Sequence, residues 1–287
     1  MKKGVLVYAH NSRDIDYATT AIISGGLAKK HLNVPATLVT DFSTTEWMSS
    51  AGMLPIAKRV FENIIEVERP VIGNNRIIHD GSTSRYVPFI NQNRSTAYSL
   101  TPYDRTLLID SDFLIFSNRL GQFWDAESPV MIAESFTNIR DGDSGILDKW
   151  VSETGPKMYW ATTVMFSKSQ EAEIFFDLVS HVRENYKYYS IIYRFNSSIY
   201  RNDIAFSIAK HIMNGFCEES KNDLPSVLSA IDRDYLELVK KDGNLIFLIG
   251  DKLSSDVLKP ISIKGLDIHI MNKQSILRNK DALLDLI

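Results

Sequence analysis

The chain has 287 residues, room for one large domain or two small ones at roughly 150 residues per domain. Hydrophobic residues make up 44% and charged residues 23%, with a net charge of -3, so no overall basic field draws in nucleic acid. The single cysteine, Cys217, excludes a disulfide framework and a cysteine-rich zinc module, and no apolar run approaches the roughly 18 residues of a transmembrane segment.

Residues 4–9 (GVLVYA) are a short apolar run of the kind that forms a buried strand. The run is too short for a signal peptide after Met1, Lys2 and Lys3, because His10, Asn11 and Arg13 interrupt it. With one cysteine, a reducing, cytoplasmic location is expected. Residues 17–32 carry a rough helical face, and 35–40 read as a second strand ending at Asp41. A strand, a helix and a strand within about 40 residues form a βαβ unit and imply a parallel sheet. Residues 43–100 are mixed. Residues 106–109 and 113–116 then flank a polar triplet as strands, and 130–133 and 162–166 are further strands. Between them, 137–157 hold Gly142, Gly145, Gly155, Pro156 and many charges, and read as a long loop. Residues 169–186 and 203–214 read as helices, the second ended by Gly215, and 245–249 and 266–270 as late strands. No Pro/Gly/Ser-rich linker divides the chain. One domain over 1–275 with a helical tail over 276–287 is expected.

Several catalytic signatures are missing from the sequence. It contains no Gly-x-Gly-x-x-Gly, His-Glu-x-x-His or Gly-x-Ser-x-Gly, and Gly25-Gly26 is not followed by a phosphate-loop pattern. Cys217, beside Phe216 at a helix end, reads as a packing residue rather than a nucleophile. The sequons at Asn93 and Asn196 read as chance. Four Asp-x-Asp pairs remain. Asp14/Asp16, Asp141/Asp143 and Asp232/Asp234 lie in polar surroundings, where a solvated turn or a helix start accounts for them. Asp110 and Asp112 instead interrupt the apolar stretch TLLIDSDFLIF. Burying two carboxylates there costs on the order of several kcal/mol unless they are paired or bound to a cation. Carboxylates two residues apart at a strand end reach one hard cation such as Mg2+ or Mn2+; the plainer alternative is a strand-terminating polar turn.

Residues 103–115 (YDRTLLIDSDFLI) resemble the DxD-bearing segment of GT-A glycosyltransferases, and within them the glycogenin and bacterial galactosyltransferase type. Arg85, between Ser84 and Tyr86, lies where that family has an arginine facing the donor. Residues 160–166 (WATTVMF) resemble the strand that usually reads Asn-Ala-Gly-Val-Met, and Arg201, Asn202, Asp203 and Ile204 resemble the later Asp-Gln site facing the sugar. Residues 267–273 resemble the C-terminal segment whose histidine completes the metal site and whose lysine touches the diphosphate. The likeness spans about residues 4–275. Thr162 and Thr163 depart from Ala-Gly, Asn202 and Asp203 reverse the polar order, and the C-terminal motif is reduced to His269 and Lys273.

The resemblance implies a GT-A (Rossmann-like) α/β fold, a mixed, mostly parallel sheet flanked by helices. It implies metal-dependent, retaining transfer of a sugar from a nucleotide-sugar donor, UDP- or GDP-linked, to a glycan, protein, lipid or modified nucleic acid. Asp110, Asp112 and His269 are then the expected ligands, an O/O/N set that suits Mn2+ somewhat better than Mg2+. Arg85 and Asp203 are the expected catalytic residues, and Lys273 the partner of the phosphates. Open parallel sheets bind ligands beyond the carboxyl ends of their strands. Tyr8, Ala9, Asn11 and Ser111 are therefore expected at the donor, with Asp41 near the base or ribose. An inverting enzyme would need a base such as Glu134, Asp141 or Asp148, and residues 137–160 are a candidate mobile loop over donor or acceptor. Two alternatives stand beside this reading. One is a sugar-nucleotide nucleotidyltransferase, whose Gly-rich N-terminal phosphate loop is missing here; the other is a non-catalytic nucleotide-sugar or carbohydrate-binding protein.

Overall fold

The computed structural model describes residues 1–69, 74–80, 83–90, 93–140, 149–217, 223–250 and 258–287. The chain opens with β1 (Lys3–Tyr8), α1 (Tyr17–Leu32) and β2 (Ala36–Thr40), the expected βαβ unit. It continues through α2 (Phe42–Ser50), α3 (Leu54–Val60) and β3 (Phe61–Glu66) to a hairpin of β4 (Asn74–Asp80) and β5 (Thr83–Phe89). After a 3-10 turn at Arg94–Thr96 come α4 (Ala97–Leu100), β6 (Arg105–Ile109), β7 (Phe113–Leu114), β8 (Val130–Ala133), β9 (Phe136–Asn138) and β10 (Trp160–Ser167). Three helices follow: α5 (Gln170–Glu184), α6 (Tyr186–Ile192) and α7 (Asn202–Met213). The last third holds β11 (Val227–Ala230), β12 (Tyr235–Val239), β13 (Leu245–Gly250), β14 (Leu258–Ile263), β15 (Ile268–Ile270), α8 (Lys273–Arg278) and α9 (Lys280–Leu284).

The fold is mixed α/β around a six-stranded sheet of order β3-β2-β1-β6-β10-β8. The first four strands run parallel, and β10 runs antiparallel to both β6 and β8. Strands β2 and β6 are buried throughout and β1 beyond Lys3, which explains their mainly apolar sequences: helices cover both faces of a parallel sheet. A four-stranded sheet of order β7-β15-β11-β9 joins the middle of the chain to its end. β12, β13 and β14 form a separate antiparallel sheet.

Helix α1 is buried along most of its length and packs on β1, β2 and α9. Its mid-helix glycines have a steric reason. A Cβ at Gly25 would lie 2.5 Å from the Phe61 ring, and one at Gly26 would lie 2.8 Å from Ile287. The helix tolerates their low propensity because a strand and the C-terminal segment approach it closely. Asp16 caps the helix by accepting from Thr19 N–H at 3.0 Å, the helix-start role expected of that pair.

Candidate active site

The centre of the site is a turn. β6 ends at Ile109, where Asp110 N–H donates to the Thr162 carbonyl at 3.0 Å and Phe113 N–H closes onto the Asp110 carbonyl at 3.1 Å. From α1, Ser24 Oγ donates to the Phe113 carbonyl at 2.8 Å and also lies 3.3 Å from the Asp110 carbonyl. The apolar strands on either side thus anchor a short polar excursion at the carboxyl end of β6. β15 runs antiparallel to β7 with His269 opposite Phe113, and Ile270 N–H donates to the Asp112 carbonyl at 2.9 Å. This pairing carries His269 Nε2 to 3.3 Å from Asp112 Oδ1 and 3.8 Å from Asp110 Oδ2.

One ligand atom from each of Asp110, Asp112 and His269 lies within 4.8 Å of the others. Asp112 is 3% exposed and His269 8%, and His269 Nδ1 is buried without a hydrogen-bond partner among the described residues. Two carboxylates and an imidazole form an oxygen-and-nitrogen donor set that fits Mn2+ or Mg2+. Two side-chain cations share these carboxylates: Arg94 is paired with Asp110, and Lys273, the first residue of α8, with Asp112. Burial pushes the Asp112 carboxyl up, but Lys273 and His269 outweigh it and hold the group well below the usual carboxylate range.

These residues line a cavity of about 470 Å3, within the range of small-ligand sites. Tyr8, Ser111 and Asp203 line it as well, so of the expected residues the structure brings together Tyr8, Asp110, Ser111, Asp112, Asp203, His269 and Lys273. The Tyr8 hydroxyl is 3.0 Å from Thr96 Oγ1, and burial pushes its phenol up. Asp203 is the second residue of α7, and Arg201 holds the cap position. Its Oδ1 accepts from Ala161 N–H at 2.9 Å, and Arg201 Nη2 approaches its Oδ2 at 3.3 Å.

Ala9, Asn11, Asp41 and Arg85 are not among the residues lining this cavity. Ala9 is fully buried, and its carbonyl accepts from Thr40 Oγ1. Asn11 is turned toward the start of α1, where its Oδ1 accepts from Ala18 N–H at 2.8 Å. Asp41 caps α2 and is engaged through both oxygens, by Ser43, Thr44, Arg69 and His10. Burial pushes Asp41 up, but those hydrogen bonds and the Arg69 charge bring it below its ordinary value. Arg85 stands exposed on β5, and its charge acts on Asp80.

Arg94, and not Arg85, lies on the cavity wall. It is buried beside Asp110, and its Nη1 donates to the Ala161 carbonyl at 2.7 Å. The sequence offered little signal, since Arg94 is the middle residue of a sequon dismissed as chance. Trp160 and Arg201 also line the cavity, with the guanidinium carbon 5.6 Å from the indole centroid. The Asp232/Asp234 pair departs from the solvated turn expected of it. Asp234 is fully buried, accepting from Arg140 at 2.9 Å and from Ile231 N–H, while Asp232 lines the cavity 3.8 Å from His79. The β4–β5 hairpin contributes Ile77 and Ile78 to the cavity and is tied to α8 by both Arg278 nitrogens on Asp80, at 2.7 and 2.9 Å. Glu134 is paired with Lys157 at 2.6 Å and does not line the cavity. Asp141, Asp143 and Asp148, with the central part of the expected mobile loop, lie outside the described residues. Cys217, expected to pack, is exposed.

No family model matches the chain, and no curated protein matches it. Among solved structures it is similar to the glycosyltransferase GlyE of Streptococcus pneumoniae TIGR4, at 12% identity and a TM-score of 0.41 over 74% of this chain. The matched region is 43% of the GlyE chain, so this chain spans less than half of that protein's length. It is also similar to galactosyltransferase LgtC in complex with donor and acceptor sugar analogs, at 14% identity and a TM-score of 0.45 over 72% of this chain and 70% of that one. A third likeness is to mouse xyloside xylosyltransferase 1, at 12% identity and a TM-score of 0.43 over 75% of this chain and 83% of that one.

Proposed function

We propose that this chain is a glycosyltransferase that moves a sugar from a nucleotide-sugar donor to an acceptor hydroxyl, with Asp110, Asp112 and His269 holding Mn2+ or Mg2+. The observation that carries the reading is the meeting of two carboxylates and a histidine, from the middle and the end of the sequence, on the wall of a cavity beyond the carboxyl end of β6. A divalent cation held there supplies Lewis-acid neutralisation of the charge that builds on a departing diphosphate. Lys273 and Arg94, now paired with Asp112 and Asp110, would complement the same phosphates and sugar from either side, with Asp110 and Asp112 left to hold the cation. Ser111 and Tyr8 belong to the donor's side of the cavity. Asp203, fixed by Ala161 N–H and Arg201, faces the sugar and orients it, because an anchored carboxylate makes a better template than a proton carrier. Glu134 is committed to Lys157 outside the cavity. We propose retention of configuration, as the likeness to the retaining type implies, with the leaving phosphate oxygen accepting the acceptor's proton.

A second reading keeps the donor but dispenses with the metal. It is favoured by the ion pairs of Arg94 with Asp110 and Lys273 with Asp112, which already neutralise both carboxylates. Transfer or hydrolysis from radiolabelled UDP- and GDP-sugars, with Mn2+ and with a chelator, separates the readings. Turnover that the chelator abolishes supports the first, and turnover that survives it supports the second. Saturable binding without turnover in either condition leaves a non-catalytic binding protein.

A further inference from the structure

Helix α8 has six residues, too few to be stable on its own hydrogen bonds, so its direction is set by what holds its start. Asn272, fully buried, caps it by accepting the Ser275 N–H on Oδ1 at 3.1 Å. The same carboxamide donates twice through Nδ2, to Asp80 Oδ1 and to the Asp234 carbonyl, both at 3.1 Å. One side chain thus joins α8, the end of β4 and the turn between β11 and β12.

Capping alone does not call for asparagine. Serine and aspartate cap a helix about as well, but serine has one donor and an ionised aspartate none. An aspartate here would also set a second carboxylate against Asp80. The nitrogen of Asn272 therefore serves the joint between elements. Both of its partners are themselves fixed. Asp80 accepts from two Arg278 nitrogens at 2.7 and 2.9 Å, and the Asp234 carboxylate accepts from Arg140 and from Ile231 N–H. Asn272 does not line the cavity, but its two chain neighbours, Met271 and Lys273, do. Met271 is anchored by its N–H on the Ala230 carbonyl at 3.0 Å, which leaves Asn272 to aim Lys273.

We infer that Asn272 is a positioning residue: it sets the start of α8 so that Lys273 reaches Asp112, and it takes that setting from the β4–β5 hairpin and the β11–β12 turn. Under the proposed function Lys273 meets the donor's diphosphate. The effect of Asn272 on ligand binding rests on that reading, whereas its effect on the Lys273–Asp112 pair does not.

Two experiments test the inference. Asn272→Ser keeps a capping oxygen, and a cooperative melting transition checks that it folds. In calorimetric titration with UDP and GDP in Mn2+, affinity should fall about tenfold in Asn272→Ser and in Lys273→Ala, with no further fall when the two are combined. Additive losses, or wild-type affinity in Asn272→Ser, overturn the inference. The second experiment needs no ligand. Urea unfolding of Asp112→Asn, Lys273→Met and the double variant measures the coupling between the two positions, with and without Asn272→Ser. That coupling should fall by about half or more when Asn272→Ser is present. Equal coupling in both backgrounds, or none in the wild type, overturns the inference. A wild type that binds neither UDP nor GDP counts against the proposed function instead, and the unfolding cycle then decides on Asn272 alone. Asp80→Ala, at a half-buried position, should move both readouts in the same direction and carries the test if Asn272→Ser does not fold.

Discussion

Ser24, in the middle of α1, donates its hydroxyl to the Phe113 carbonyl at 2.8 Å and thereby fastens the turn that presents Asp110 and Asp112. A helix remote in sequence thus holds the two carboxylates in register with β15. Ser24→Ala removes the donor and leaves a buried carbonyl unsatisfied, which should cost about 1–3 kcal/mol in unfolding free energy. Urea denaturation measures the loss. Within the proposed function, transfer should slow in the same variant because the carboxylates are less well positioned.

Asp112→Asn alters one proposed metal ligand and removes the charge opposite Lys273 and His269. The rate of transfer should fall about 100-fold or more at saturating Mn2+, the scale seen when a key electrostatic stabiliser is lost. Initial rates with the best donor supply the measurement, and near-wild-type activity defeats the assignment.

Arg94 and Arg85 make a matched pair of tests. Arg94→Lys keeps a charge but loses the fork that reaches both Asp110 and the Ala161 carbonyl, so the rate should drop at least about tenfold. Arg85→Ala alters an exposed hairpin residue and should leave the rate within about twofold of wild type. Equal effects in the two variants would remove the distinction between them.

Gly25→Ala tests the close approach of α1 and Phe61. Alanine gains helix propensity of about 1 kcal/mol, but its methyl would sit 2.5 Å from the ring. Overpacking should win, with a net loss of about 1–3 kcal/mol by denaturant unfolding.

His10 and Asp41 give the pH dependence. Burial pulls His10 below its ordinary value although Asp41, 2.9 Å away, opposes the shift. The unfolded chain therefore binds the proton first as pH falls, so this contribution is intact above about pH 6.5 and is lost as pH drops toward the folded value. Unfolding free energy should fall between about pH 7.5 and 5.5, and His10→Asn should flatten the slope. His31, also pulled down by burial, accounts for part of what remains.

The sequence made β1, β2, β6 and β10 legible because mainly apolar runs are what a sheet covered on both faces requires. Asp110 and Asp112 stood out for the same reason, as charges where the pattern demanded none. His269 could be placed only through the family likeness, since no local pattern pairs β15 with β7. The β4–β5 hairpin and Asp232 escaped, because surface-like polarity in a sequence does not reveal which turn folds over a cavity. Arg94 escaped because a buried arginine leaves no periodic trace. Asp41, at the end of β2, is also the cap of α2, because a carboxylate at a strand end serves equally in that role.

In the proposed function, the cavity beside Asp110, Asp112 and His269 takes a nucleotide sugar together with a divalent cation. The most direct measurement is thermal melting of the full chain with UDP-, GDP-, CMP- and dTDP-sugars, each with and without Mn2+. A ligand at about 100 times its Kd stabilises the fold by about 2.7 kcal/mol, a shift of several degrees. The account predicts such a shift for at least one donor, larger with Mn2+ than without, and absent in Asp110→Asn/Asp112→Asn. No shift with any donor in either condition would contradict it.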